Sequence, residues 1–383
     1  MTELFGGRGS EKKVEYLELI YDLIFVYMIG RNNSLLHFLE NGFIRPEAFL
    51  TYILSTLTVL QIWYYTTLFI NRYGTNGLAE HIATFINMYL LYYMADGTRL
   101  HWQTVYTRYN VAWGLILVNL AVQYSLKLRK TGGAAPWEAA HLKLNRRLLL
   151  VQAAIVLASV PVYRLTGAPL SPLGMAFGMA ASLLLRGTAD LVAVDFPHLT
   201  ERVMLYVVFT FGEMIIGIAG YFSGGVTVRS VYFSLMAFLI VAGLFLNYGF
   251  VYDHLIDRER HTSGKGYMFL HIFLIAAMNN ITAALEFMQE AEVDAVPKNI
   301  FMAASLLVYF LFLFLLERFA VVRLEKNRRF LRLLLAGFAA FIVLMGALYK
   351  YPAWSIAVTV AFIYGFFLLI FAYWRRLQLY GEQ

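Results

Sequence analysis

The chain has 383 residues, of which 60% are hydrophobic and 14% charged, with no cysteine and a net charge of +7. Soluble domains carry about 25% charged residues, so this composition excludes a water-exposed fold, and the missing cysteines exclude disulfides, thiolate metal sites and a cysteine nucleophile. The positive charge sits in basic clusters between apolar stretches, the pattern of cytoplasmic loops and not of a nucleic-acid-binding face.

Residues 1–15 read as a polar cytoplasmic segment. The first apolar run, Tyr16–Leu39, contains Glu18 and Asp22, which no cleavable signal would tolerate, so it is expected to be a retained helix. A membrane helix needs about 20 mostly apolar residues. Further stretches of that kind follow at Phe49–Ile70, His81–Ala95, Asn110–Leu126, Leu148–Tyr163 and Leu170–Leu185. The second half of the chain continues with Val203–Phe222, Ser230–Val251, Tyr267–Met288, Ile300–Leu316, Leu333–Tyr349 and Trp354–Trp374. The longest polar connections, Lys127–Arg147 and Asp253–Lys265, are too short for a soluble domain. The expected fold is therefore an all-α integral membrane protein of about twelve transmembrane helices. With the N-terminus inside, most of the 31 basic residues fall on the cytoplasmic side and the acidic group Glu286, Glu290, Glu292 and Asp294 falls outside. Both termini are then cytoplasmic.

Asp22 in the first span and Glu213 in the seventh are each read as lying near the middle of an apolar helix, about half the chain apart. His81 and His271 repeat nearly the same offset. This predicts two six-helix halves of the same orientation, 16–197 and 198–376, related by an axis along the membrane normal, with 377–383 as a cytoplasmic tail.

An acid at bilayer depth costs roughly 2.5–3.5 kcal/mol on insertion scales. Glu11, Glu15, Glu18 and Asp22 nevertheless follow the spacing of one helix face, and Arg202 and Glu213 share another. If the halves pack about a central axis, the Asp22 and Glu213 faces meet there. The functional reading is a proton- or cation-responsive centre; the alternative is that each acid has a polar partner and only fixes packing. Trp63-Tyr-Tyr-Thr-Thr67 and Asn71-Arg72-Tyr73 read as an aromatic belt with a snorkelling arginine. His271, near Asn279 and Asn280, is either a helix-to-helix hydrogen bonder or a ligand. Asp253, His254, Asp257 and His261 have metal-binding residue types without a closed ligand set, so no metal or cofactor is assigned. Thr200 is expected to cap the seventh helix. The sequence has no phosphate loop, nucleophile elbow or dinucleotide fingerprint, which argues against an ATP-driven pump and the common membrane hydrolases.

In these same stretches the chain resembles the bacterial low temperature requirement A (LtrA) family. The resemblance is carried by Glu15-Tyr-Leu-Glu-Leu-Ile-Tyr-Asp-Leu-Ile-Phe-Val26, by Trp63-Tyr-Tyr-Thr66 with Asn71-Arg72, and most specifically by His198-Leu-Thr-Glu201-Arg202 followed by Phe211-Gly-Glu-Met-Ile215. It spans essentially the whole chain. Ile20, Tyr21, Phe211 and Met214 depart from the usual pattern, and Met214 removes a hydroxyl beside Glu213. The resemblance implies motif positions at Glu18, Asp22, Arg72, His198, Glu201, Arg202 and Glu213, and a multi-pass protein of the bacterial inner membrane, but no substrate. The expected function is a secondary transporter or channel-like permease, coupled to protons, with the bilayer and a small solute or proton as partners and a homo-oligomer left open. The alternatives are a membrane-embedded enzyme acting on a lipid-linked substrate, with the carboxylates as acid and base, and a non-transporting factor in cold or stress adaptation. An enzyme would hold its polar cluster at one interface within reach of water; a transporter would hold it near the midplane.

Overall fold

A computed structural model describes residues 13–96, 102–130, 135–184, 194–290, 292–321 and 327–381. The described chain is almost wholly helical. The helices are α1 (Tyr16–Asn33), α2 (Pro46–Tyr73), α3 (Leu78–Asp96), α4 (Trp102–Lys130), α5 (Pro136–Thr166) and α6 (Ser171–Leu184), then α7 (Phe196–Ile218), α8 (Val228–Phe250), α9 (Lys265–Phe287), α10 (Ala295–Leu315), α11 (Arg328–Ala347) and α12 (Pro352–Gly381). Each apolar stretch read from the sequence coincides with one of them. Among the described residues, 9 helices are long and apolar enough to cross a membrane: α2, α4, α5 and α7 to α12. In α1, Glu18, Asp22 and Arg31 interrupt the apolar run.

Several ends differ from the sequence reading, for local reasons. The first helix stops at Asn33, not Leu39. A 3-10 turn, Ser34–His37, follows it, and then a hairpin of β1 (Leu39–Glu40) and β2 (Phe43–Ile44), so residues beyond Asn33 lie outside the first span. The hairpin turn needs positive φ at both central residues, and Asn41 (51°) and Gly42 (76°) supply it. The polar stretch expected as a long connection after Leu126 is helical on both sides, with α4 running to Lys130 and α5 starting at Pro136. Asp195, not Thr200, caps α7. The Asp195 side chain accepts from the His198 N–H at 3.1 Å, while Thr200 lies inside the helix and donates its hydroxyl to the Pro197 carbonyl. The last helix continues through most of the expected tail, and Glu11 lies outside the described residues.

The polarity of the helices is inverted relative to a soluble protein. On α1, Tyr16 (81% exposed), Ile20, Leu23 and Tyr27 point outward at helical spacing, whereas Glu18 and Asp22 are buried. A surface of that kind is stable only against hydrocarbon, and the protein is a multi-pass membrane protein. The chain forms two compact units. One comprises the chain up to Met28, Leu57–Tyr206 and Arg258–Met268; the other comprises Ile29–Thr56, Val207–Asp257 and Phe269–Gln383. Helices α1, α2, α7 and α9 each contribute to both.

Candidate functional site

Glu18 and Asp22 converge on one guanidinium. Arg202, in the second turn of α7, is 0% exposed and reaches α1. Its Nε donates to Asp22 Oδ2 at 3.2 Å, its Nη2 to Asp22 Oδ1 at 2.9 Å and its Nη1 to Glu18 Oε2 at 2.7 Å. The planar fork thus serves two carboxylates one helical turn apart, an arrangement that lysine could not reproduce. Asp22 is also 0% exposed, and its Oδ1 accepts a further bond from Trp63 Nε1 at 3.0 Å. Trp63 is in turn stacked on Tyr206, with centroids 4.4 Å apart. The expectation that Trp63 belongs to an interfacial belt is therefore corrected: it is fully buried and holds the aspartate.

His198 extends the cluster. Its Nε2 faces Glu18 Oε1 at 3.3 Å and its Nδ1 faces Asn71 Nδ2 at 2.9 Å. The Asn71 amide is oriented by its backbone contacts: Oδ1 accepts from the Asp195 N–H at 3.0 Å and Nδ2 donates to the Asp195 carbonyl at 2.8 Å. Nδ2 must therefore donate to His198 Nδ1, which leaves the ring hydrogen on Nε2, pointing at Glu18. This tautomer lets the ring bridge Asn71 and Glu18. The contacts advance in the same chain direction on both helices, from Glu18 with His198 to Asp22 with Arg202.

The cluster is not at mid-span. Asp22 lies six residues from Tyr16, about 9 Å along the helix. It is nearer one end of the helix than the sequence suggested, yet sealed from solvent.

The remaining motif residues lie elsewhere. Glu201 is exposed, about 100° around α7 from its buried neighbour Arg202. Arg72 closes α2 and turns inward, donating Nη2 to the Ser263 carbonyl at 2.8 Å. In the second unit, Glu213 is half-buried, and it packs so closely on Gly30 that a methyl group there would meet its carboxylate at 2.5 Å. Its charged neighbour is Glu286, so Glu213 belongs to a different cluster from Asp22. Glu286 and Glu290 hold the His37 ring between them, at Nε2 (2.9 Å) and Nδ1 (3.0 Å) respectively. His271 is buried and faces Tyr248 from α8, the helix-to-helix contact that was one of its two readings. Asn71, Trp63, His37 and Glu286 were not singled out as site residues by the sequence. Trp63 and Asn71 carried a signal in the stretches that bear the resemblance, and Glu286 in the acidic group; His37 carried none.

A sequence model described as the bacterial low temperature requirement A protein (LtrA) matches residues 13–374. No curated protein matches the chain.

Proposed function

The chain belongs to the bacterial low temperature requirement A (LtrA) family, and on that footing we propose that it is a secondary transporter or channel-like permease of the bacterial cell membrane whose cycle is coupled to a proton at the Glu18–Asp22–Arg202–His198 cluster. The observation that carries this reading is the buried pair of carboxylates sharing one guanidinium, with a histidine hydrogen-bonded to one of them. Charges sealed in a membrane protein are costly and are retained where they do work. A proton reaching His198 Nδ1 must displace the Asn71 amide, and a proton on Glu18 weakens its bond to Arg202. Either event changes both the charge of the core and the grip between α1 and α7. That is how protonation becomes linked to a change of conformation. The twelve helices, two halves of like orientation at 16–197 and 198–376 and cytoplasmic termini belong to the same reading, supported by the common direction of the α1 and α7 contacts. The cluster's position off mid-span departs from the depth expected of a transporter, but its sealing from water departs further from the acid–base pair of an enzyme, which its substrate must reach.

The test uses purified protein in liposomes on a solid-supported membrane, challenged with small carboxylates and phosphate under an imposed pH gradient. The wild type should give substrate-dependent currents that vary with pH. Asp22→Asn and Glu18→Gln should fold and lose that variation. A wild type silent to every solute, or neutral variants with an unchanged pH dependence, would remove the basis for the proposal.

A further inference from the structure

We infer that the cavity beside Arg72 is a binding site for an oxyanion, the phosphate or carboxylate group of a small soluble anion or of a lipid head group. This small cavity in the first unit has a volume of about 40 Å³ and is lined by Arg72, Lys265, Tyr64, Tyr65, Tyr124 and Asn145, among others. Two of its lining residues are cationic and none is acidic. Arg72 makes no ion pair among the described residues. Besides the Ser263 carbonyl, its acceptor is the ring of His141, with Nη1 at 3.4 Å from Nε2. That ring cannot neutralise it: Nε2 already accepts from Asn145 at 3.0 Å, and Nδ1 donates to the Tyr73 hydroxyl at 2.6 Å. The Arg72 Nε is buried without a hydrogen-bond partner among the described residues.

An arginine that only snorkels sends its head group outward to water or phosphates. Arg72 instead folds inward and leaves a buried donor unsatisfied, which is unfavourable unless something accepts from it. The missing acceptor has a defined chemistry. A guanidinium fork fits an oxyanion, Lys265 adds a second point charge, and the tyrosine rings form walls for whatever carries the anion. Location fits as well. Arg72 is in the last turn of α2 and Lys265 is the first residue of α9, so the two cations line the cavity from helix ends, where solutes and head groups arrive. Asn71, the residue before Arg72, donates to His198, so the anion would sit one residue from the buried charge cluster. The site supplies the transport reading with a substrate class. Only the word substrate rests on that reading; occupancy rests on the cavity alone.

The test is binding, not flux. Full-length protein in phosphatidylcholine nanodiscs is titrated with inorganic phosphate and, separately, acetate, at constant ionic strength with chloride as the balancing anion, and thermal unfolding is followed. A second series replaces part of the lipid with phosphatidylglycerol. The wild type should gain stability from a soluble anion or from phosphatidylglycerol, and whichever series responds identifies the source. Arg72→Gln and Lys265→Gln should each weaken the soluble-anion response by about tenfold or more, or abolish the lipid response. If Arg72→Gln does not fold, Lys265→Gln decides. No response in either series, or responses retained in the variants, overturns the inference. Binding without flux would leave this site standing and remove the transport reading; flux without binding would do the reverse.

Discussion

Arg202 joins α7 to α1 by satisfying two buried carboxylates at once. Arg202→Ala strands both acids and should destabilise the protein by about 3–5 kcal/mol. Asp22→Asn keeps the shape and the Trp63 bond, but it turns an amide NH2 toward the Arg202 Nε–H, so that hydrogen bond is lost, and it should cost about 1–3 kcal/mol. Urea-induced unfolding in detergent ranks the two; an alanine variant no weaker than the asparagine one would contradict the assigned geometry. At the other cluster, the hydrogen bond from His37 to Glu286 is the largest cause of a raised imidazole pKa, aided by both carboxylate charges against partial desolvation. The folded value lies above the unfolded one of about 6.5, so the stabilisation is fully present below about pH 6.5 and is lost as pH rises through the folded value. The unfolding midpoint of His37→Gln should therefore fall below that of the wild type most at about pH 5.5, and converge with it by about pH 9. A difference that is constant across this range would show that the ring acts through packing.

The start of α7 decides where Arg202 and His198 point. Asp195 caps that helix through the His198 N–H, and its own backbone is clamped on both sides by the Asn71 amide. Losing an N-cap side chain costs about 1 kcal/mol. Asp195→Ala should show that loss in thermal unfolding and should also shift the pH dependence of any transport current, because the first turn carries His198. Thr200→Val, by contrast, replaces only a hydroxyl bonded within its own helix by a methyl group of similar size and should be close to neutral. Equal losses in the two variants would return the capping role to Thr200. At the other end of α1, Gly30 lets Glu213 approach the backbone, which explains why a small residue stands in an otherwise bulky helix.

For the whole molecule, orientation is the property most open to test. Glu259, in the polar stretch before α9, and Glu292, beyond its end, are both exposed and are separated by that single helix. The chain has no cysteine. Glu259→Cys should be labelled by a membrane-impermeant maleimide only from the cytoplasm, and Glu292→Cys only from outside, following the placement of basic residues. Labelling of both from the same side would mean that α9 does not cross the bilayer and would change the topology from that point on.

Composition and apolar run length were sufficient to place the helices in a membrane, because the bilayer thickness sets one length scale and leaves few alternatives to a helix. Helix ends were less legible: Asn41-Gly42, Asp195 and the polar flanks of α4 and α5 act through hydrogen bonds and turn conformations that hydropathy does not register. The sequence marked Glu18, Asp22, His198 and Arg202 as anomalous, since buried charge is expensive wherever it occurs. Which of them share partners was a different matter. Asp22 and Glu213 matched across the half-chain offset, yet Asp22 is bound to Arg202 and Trp63, whereas Glu213 lies against Gly30 with Glu286 as its charged neighbour. Contacts between residues more than a hundred positions apart depend on how helices rotate and slide against each other, and only the packed tertiary structure settles that.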